Sequence, residues 1–259
     1  MKLIKIPAKN GLGKTEGTEL APDAIIEQLK QIHLNESGIK PEYSIQTVKV
    51  NPSNIEETNQ NIFDHITQLD DRPIILGGDH SITYPAFRAF SKKFKNAGIV
   101  VFDAHPDLMH NFEPPTHEDY LRTLIEQGHL SPNNLILIGV RSWHPLEMQF
   151  LKQHKIKYFS MQELQTEGLQ ESTDAIMSVA RTFGACYVSI DIDVLDPAFA
   201  PATGYPEPGG LTTRQFLYML HRLKNLKNIQ AYDLVEVNPL KDPSQITVQM
   251  AAKLVSEIF

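Results

Sequence analysis

Three unbroken apolar runs, Ile74-Ile75-Leu76, Ile99-Val100-Val101-Phe102 and Leu135-Ile136-Leu137-Ile138, constrain this chain more than any other feature. A strand with one wet face alternates apolar and polar residues. An unbroken apolar run has both faces buried, as in a parallel sheet covered by helices. Parallel neighbours also need long crossovers, and helical patterns lie between the runs. The strands expected on this basis are Lys2–Ile6, Tyr43–Val50, Pro73–Gly77, Gly98–Asp103, Asn134–Val140, Lys155–Phe159, Ala185–Asp191 and Gln230–Val237. Helices are expected over Pro22–Leu34, Asn54–Leu69, Ser81–Phe94, His117–Gln127, Glu171–Phe183, Thr213–Leu223 and Ser244–Ile258, with Thr116 as an N-cap and Glu118 and Asp119 in the first turn that follows. No internal repeat or linker interrupts the 259 residues, so residues 1–259 are expected to form one α/β domain. The β-α periodicity fits both a closed barrel and an open sheet, and both place chemistry at the carboxyl ends of the strands.

Metal-philic residues collect at those ends. Gly77-Gly78-Asp79-His80-Ser81 follows one apolar run, with glycines suited to an unusual turn and Ser81 placed to cap the next helix. Asp103-Ala104-His105-Pro106-Asp107 follows another. Three candidate ligands in five residues share one side if the backbone stays extended, which Pro106 favours at 105. Asp191-Ile192-Asp193 ends a third strand, where a bare charge pair beside an apolar run is costly. His80, Asp103, His105, Asp107, Asp191 and Asp193 together suit two closely spaced divalent cations of intermediate hardness, above all Mn²⁺. Glu236, inside Leu234-Val235-Glu236-Val237, needs a partner: a cationic substrate, the metal cluster or Arg141. The segment Val194–Thr212 holds four prolines and three glycines, the makings of a rigid loop that walls an active site.

Composition narrows the classes further. A formal charge of −7 argues against nucleic acid and anionic membrane as partners. One cysteine, Cys186, forms no internal disulfide and points to a reducing, cytoplasmic compartment. No apolar stretch approaches the roughly 20 residues that span a bilayer. His110, His129, His144 and His154 have no pattern behind them and read as surface residues.

In order along the chain, these motifs resemble those of the arginase/agmatinase family, the ureohydrolases. The likeness extends upstream to Gly13, Gly17, Ala21-Pro22 and Ile25, and downstream through Asp196–Leu211 and Asp233–Pro239, nearly the whole chain. The resemblance implies a three-layer α/β/α sandwich with an eight-stranded, mostly parallel sheet. It implies two Mn²⁺ ions per chain: one on His80, Asp103, Asp107 and Asp191, the other on Asp103, His105, Asp191 and Asp193, with Asp103 and Asp191 bridging. It implies attack of metal-activated water on a guanidinium carbon, aimed by Asp107, with Glu236 pairing with the guanidinium and His117 shuttling a proton. Homo-oligomers, trimers or hexamers, are implied as well.

The departures bear on substrate. The loop Leu108–Pro115 and the Ser142-Trp143-His144-Pro145 that follows Arg141 lack the polar and acidic residues with which arginases grip an amino-acid head. Agmatine, or another guanidino or formimino compound without that head, is the expected substrate, with Trp143, Phe112 and Tyr205 lining its alkyl chain. Tyr205 stands where the family often has Thr, and Glu118 where it often has Gly. Formiminoglutamase- or arginase-type activity is the alternative within the family. A non-catalytic regulatory subunit, or a two-metal deacetylase or phosphoesterase, is the alternative outside that activity.

Overall fold

The computed structural model describes residues 1–69 and 72–259. Along the chain run β1 (Lys2–Ile6), α1 (Ala21–Leu29), β2 (Ser44–Thr47), α2 (Ile55–Thr67), β3 (Pro73–Gly77), α3 (Thr83–Lys93), β4 (Ala97–Phe102), α4 (Tyr120–Glu126), β5 (Leu135–Ile138), α5 (Pro145–His154), β6 (Lys157–Phe159), α6 (Met161–Glu167), α7 (Leu169–Ala180), β7 (Ala185–Asp191), α8 (Thr213–Leu223), β8 (Ile229–Val235) and α9 (Ile246–Ile258). The strands form one open sheet in the order β2-β1-β3-β8-β7-β4-β5-β6. Every pairing is parallel, so the expected eight-stranded, mostly parallel sheet is here parallel throughout.

The apolar runs do what their pattern requires. In β4, Val100 and Phe102 pack with Ile25 of α1, Ile176 of α7, Phe216 of α8 and Leu254 of α9. Ile99 and Val101 point to the other face, among Ile62 of α2, Phe87 of α3, Leu124 of α4 and Phe150 of α5. Both clusters are built of buried apolar side chains, and at about 25 cal/mol per Å² this two-sided burial is the main force holding the three layers together. At the edge, β2 is exposed throughout and shorter than the expected Tyr43–Val50, because it pairs only with the five-residue β1.

Two helices were not expected, α5 and α6, although each opens on a capping box. His144 accepts from Leu146 N while Glu147 accepts from His144 N, and Ser160 and Glu163 bond reciprocally. α1 stops at Leu29 rather than Leu34, where Gln31 N and Ile32 N turn back to Gln28 O and Leu29 O. At the amino-terminal loop, a Cβ on Gly78 would lie 2.0 Å from the Ala8 carbonyl oxygen, so only glycine lets residues 7–11 cross above β3.

Candidate active site

The four central strands, β3, β8, β7 and β4, lie side by side and end at one edge. His80 follows β3, Glu236 follows β8, Asp191 closes β7 and Asp103 follows β4. Six expected ligand residues, two histidines and four aspartates, meet just beyond that edge. His80 Nδ1 lies 3.1 Å from Asp103 Oδ2, 3.2 Å from Asp107 Oδ2 and 3.2 Å from Asp191 Oδ2. His105 Nδ1 lies 3.0 Å from Asp193 Oδ2 and 3.5 Å from Asp103 Oδ1. Asp103 thus turns one oxygen to each imidazole. His80, Asp103 and Asp107 form one group with the donor set and spacing of a cation site; Asp103, His105 and Asp193 form a second.

The tautomer of His80 makes the first group's need for a cation explicit. Ser189 Oγ has one proton and donates it to Asp233 Oδ1 at 2.6 Å, so at 2.8 Å it must accept from His80 Nε2. Tyr120 Oη lies 2.9 Å from the same nitrogen. Asp233 is itself held by Thr83 and Tyr187 hydroxyls. Nδ1 then presents a bare lone pair to three carboxylate oxygens, and both it and Asp103 Oδ2 are buried with no hydrogen-bond partner. Acceptors facing acceptors in a low-dielectric pocket are unstable without a cation or added protons. The residues present fit a pair of divalent ions.

Titration expresses the same frustration. Burial, then the Asp103 charge, pushes the Asp107 carboxyl well above its usual range. Burial, then Asp193 and Asp103, does so for Asp191. Burial opposes charge on the imidazoles, yet the surrounding acids prevail: His80 is raised well above its ordinary value and His105 is pushed up to about 12. The raised groups mark a site short of positive charge.

Backbone detail departs from the expected extended claw. Asp107 has φ 51°, so the chain turns left-handed there and swings the carboxylate back toward His80 instead of alternating outward. Ser81 does not cap α3; Asp79 accepts from Ser81 N and Asn10 N and holds the turn. Thr116 does not cap a helix either. Asp119 takes the Thr116 N–H, the Thr116 hydroxyl and the Phe112 N–H, which ties residues 112–119 into a loop and delays α4 to Tyr120. His117 is buried in that loop, with Nδ1 3.3 Å from Glu236 Oε1 and Nε2 accepting from Leu12 N at 3.4 Å. Burial lowers its pKa, but Glu236, Asp79 and Asp107 together raise it to about 9.

A cavity of about 300 Å³ opens over the cluster. Trp143, Met109 and Tyr205 give it apolar wall; His80, His105, Asp107, Asp191, Asp193, His117 and Glu236 also border it. Phe112 does not, and is 42% exposed instead. Arg141 is not the partner of Glu236. Its guanidinium donates to the carbonyls of Asp193 and Glu207, at 2.7 and 2.6 Å, and pins the Pro-rich loop to the end of β5. Sequence reasoning missed Thr203, whose buried hydroxyl lines the cavity without a partner, and Glu147, which takes Leu108 N. His144 is exposed as expected, and it also borders the cavity.

A wholly parallel, doubly wound sheet with acids and imidazoles gathered beyond its central strands is the architecture of an α/β enzyme with a crevice site. Comparison with known proteins identifies which. The Arginase family profile matches residues 1–259. Arginase of Staphylococcus aureus strain MRSA252 is 31% identical over 291 aligned positions, covering 99% of this chain and 96% of that protein. Agmatinase of Bacillus subtilis strain 168 is 32% identical over 212 positions, covering 81% of this chain and 70% of that one. The structure of proclavaminate amidino hydrolase from Streptomyces clavuligerus superposes with a TM-score of 0.91 at 28% identity, covering 99% of this chain and 89% of that one. The chain belongs to the arginase family, hydrolases of guanidino C–N bonds. Its relatives' names differ in substrate, so the choice among guanidino compounds falls to the cavity.

Proposed function

We propose that this protein is a binuclear manganese hydrolase of a linear amidine, agmatine-like, releasing urea and an amine. The observation that carries the reading is that three residues lining one cavity each keep a buried polar atom without a hydrogen-bond partner, His80 Nδ1, Thr203 Oγ1 and Glu236 Oε2, while a fourth such atom, Asp103 Oδ2, lies 3.1 Å behind His80 Nδ1. His80, Asp103, Asp107 and Asp191 would hold one ion, and Asp103, His105, Asp191 and Asp193 the other. When bound, the pair supplies Lewis-acid activation of water at neutral pH.

The chain's own residues do the rest. Glu236 Oε1 is fixed by His80 N–H at 2.9 Å and by His117, which leaves Oε2 free to take a guanidinium N–H. The Thr203 hydroxyl is placed to accept a second. Asp107, beside the shared Asp103, aims the attacking water. His117 holds a proton on Nδ1, 3.3 Å from Glu236 Oε1, and that proton would pass to the departing amine. Trp143, Met109 and Tyr205 shield an alkyl spacer from solvent.

Apart from Asp107, Asp191 and Asp193, whose charge the two ions would balance, the described residues lining the cavity include Glu118, Glu147 and Glu236 but no lysine or arginine. The carboxylate of an amino-acid head would meet like charge there, with no cationic side chain to pair it, which supports a substrate without that head. The test is urea release by Mn²⁺-reconstituted protein over a panel of guanidines. Agmatine-like compounds should be hydrolysed with a higher kcat/KM than L-arginine; urea from none of them would overturn the reading. Glu236→Gln is expected to lower kcat/KM for guanidines by about a hundredfold, the loss of a buried charge-assisted pair. Unchanged kinetics would remove the assignment.

A further inference from the structure

We propose that Glu118 reads the far end of the substrate, pairing with a terminal ammonium so that the cavity selects guanidino amines over guanidino acids. The proposal rests on the reading of this site as a guanidine hydrolase and adds to it a residue and a charge rule.

Glu118 and Glu236 stand on opposite edges of one imidazole. Glu236 Oε1 is 3.3 Å from His117 Nδ1, and Glu118 Oε1 is 3.7 Å from His117 Nε2. Both acids border the cavity. Across a ring of that width the two carboxylates lie within about 9 Å of each other. Extended four-carbon spacers separate a guanidinium carbon from an ammonium nitrogen by roughly 7–8 Å at ordinary bond lengths. A cation at each end, each a hydrogen bond away from its acid, fits that span.

The two acids are unlike in what they lack. Glu236 is 3% exposed and keeps Oε2 unpartnered, the inner anchor for a planar cation. The Glu118 side chain is 31% exposed, at the cavity's rim, and has no lysine or arginine partner among the described residues. It is placed, not loose: Glu118 N donates to Thr116 Oγ1 at 3.3 Å, and Glu118 O accepts from Met109 N at 3.0 Å. Asp119 holds Thr116 in turn. Tyr205 lines the cavity beside the same imidazole, its ring centroid 5.4 Å from that of His117. Lys14 is not a lining residue; its ammonium lies 4.5 Å from the Tyr205 centroid. An ammonium leaving water at such a rim gains a charge-assisted hydrogen bond, and a carboxylate there meets repulsion.

The experiment uses Mn²⁺-loaded protein and three guanidines of equal spacer length: 4-aminobutylguanidine, butylguanidine and 4-guanidinobutyrate. KM, kcat and calorimetric Kd are measured for the wild type, Glu118→Gln and Glu118→Lys. The wild type should bind the amine most tightly. Glu118→Gln should raise KM and Kd for the amine about tenfold relative to butylguanidine, with the kcat ratio within about twofold, and Glu118→Lys should move the preference to the acid. A uniform change across all three compounds, or none, overturns the proposal, as does wild-type preference for the acid, which would hand the tail to Lys14. Tighter amine binding that Glu118→Gln abolishes, with no urea from any compound, would uphold the charge rule and sink the hydrolase reading instead.

Discussion

Asp103→Ala will lower kcat/KM for urea release by at least about a thousandfold and leave the protein short of both metal ions, not one. Asp103 belongs to both cation groups. Its Oδ2 faces His80 Nδ1 at 3.1 Å, and its Oδ1 faces His105 Nδ1 at 3.5 Å while accepting the His105 N–H at 2.7 Å. Removing the carboxylate therefore withdraws a donor from both groups and the strut that orients His105. Loss of charge stabilisation at a reacting centre costs about 10²–10³ even for one donor, and here both proposed ions would depend on it. Asp193→Ala touches the His105 group and should spare the His80 group, so metal per chain separates the two variants. An Asp103→Ala enzyme retaining a tenth of wild-type activity would contradict the shared role.

Chelation will open a stability gap that widens as pH rises from about 5.5 to 8.5. In the metal-free protein, burial followed by neighbouring carboxylates raises Asp107 and Asp191 well above their unfolded value near 4. A raised carboxyl binds its proton more tightly folded than unfolded. Its contribution is full below the unfolded pKa and is lost as pH climbs toward the folded one. The histidines behave alike. Burial resists their charge, but Asp193 and Asp103 push His105 up to about 12, so its contribution is full below about 6.5 and drains through the alkaline range. Asp103 runs the other way, since its pKa is lowered, but its contribution fails only in strong acid. Between pH 5.5 and 8.5 every raised group therefore acts in one direction, and the chelated protein loses stability with rising pH. The loaded protein does not, because metal replaces protons and binds more tightly as they leave. At about a thousandfold over Kd each ion adds about 4 kcal/mol. With roughly 2–4 °C of Tm per kcal/mol in a chain of this size, the gap should reach about 15 °C or more at the alkaline end. Differential scanning calorimetry with and without chelator reads it directly; a chelated Tm that stays flat or rises across the range would refute the picture.

The residues that meet at the sheet edge were legible because strand ends are legible. An apolar run such as Ile99–Phe102 announces two-sided burial, and in a parallel sheet the residue after it must emerge at one edge. Where the chain leaves the strands, local rules lose force. Asp107 reaches His80 through a left-handed backbone that no spacing argument contains, and Glu236 also has positive φ, 64°. Thr116 looked like a cap, but the buried Asp119 outcompetes it for the loop's donors. Thr203 enters the site on a loop held by residues far away in sequence: Ala202 N donates to Thr247 Oγ1, Asn238 N donates to Ala202 O, and Arg141 donates to the Asp193 and Glu207 carbonyls. By contrast, α5 and α6 carried readable starts in His144-Pro145-Leu146-Glu147 and Ser160-Met161-Gln162-Glu163, signals that short helices between weak strands make easy to pass over.

Crystals grown from Mn²⁺-reconstituted protein, measured at the manganese absorption edge, test the central claim most directly. Two anomalous peaks per chain are predicted, one enclosed by His80, Asp103, Asp107 and Asp191 and one by Asp103, His105, Asp191 and Asp193. A single peak, or density confined to surface carboxylates, would contradict a shared two-ion site.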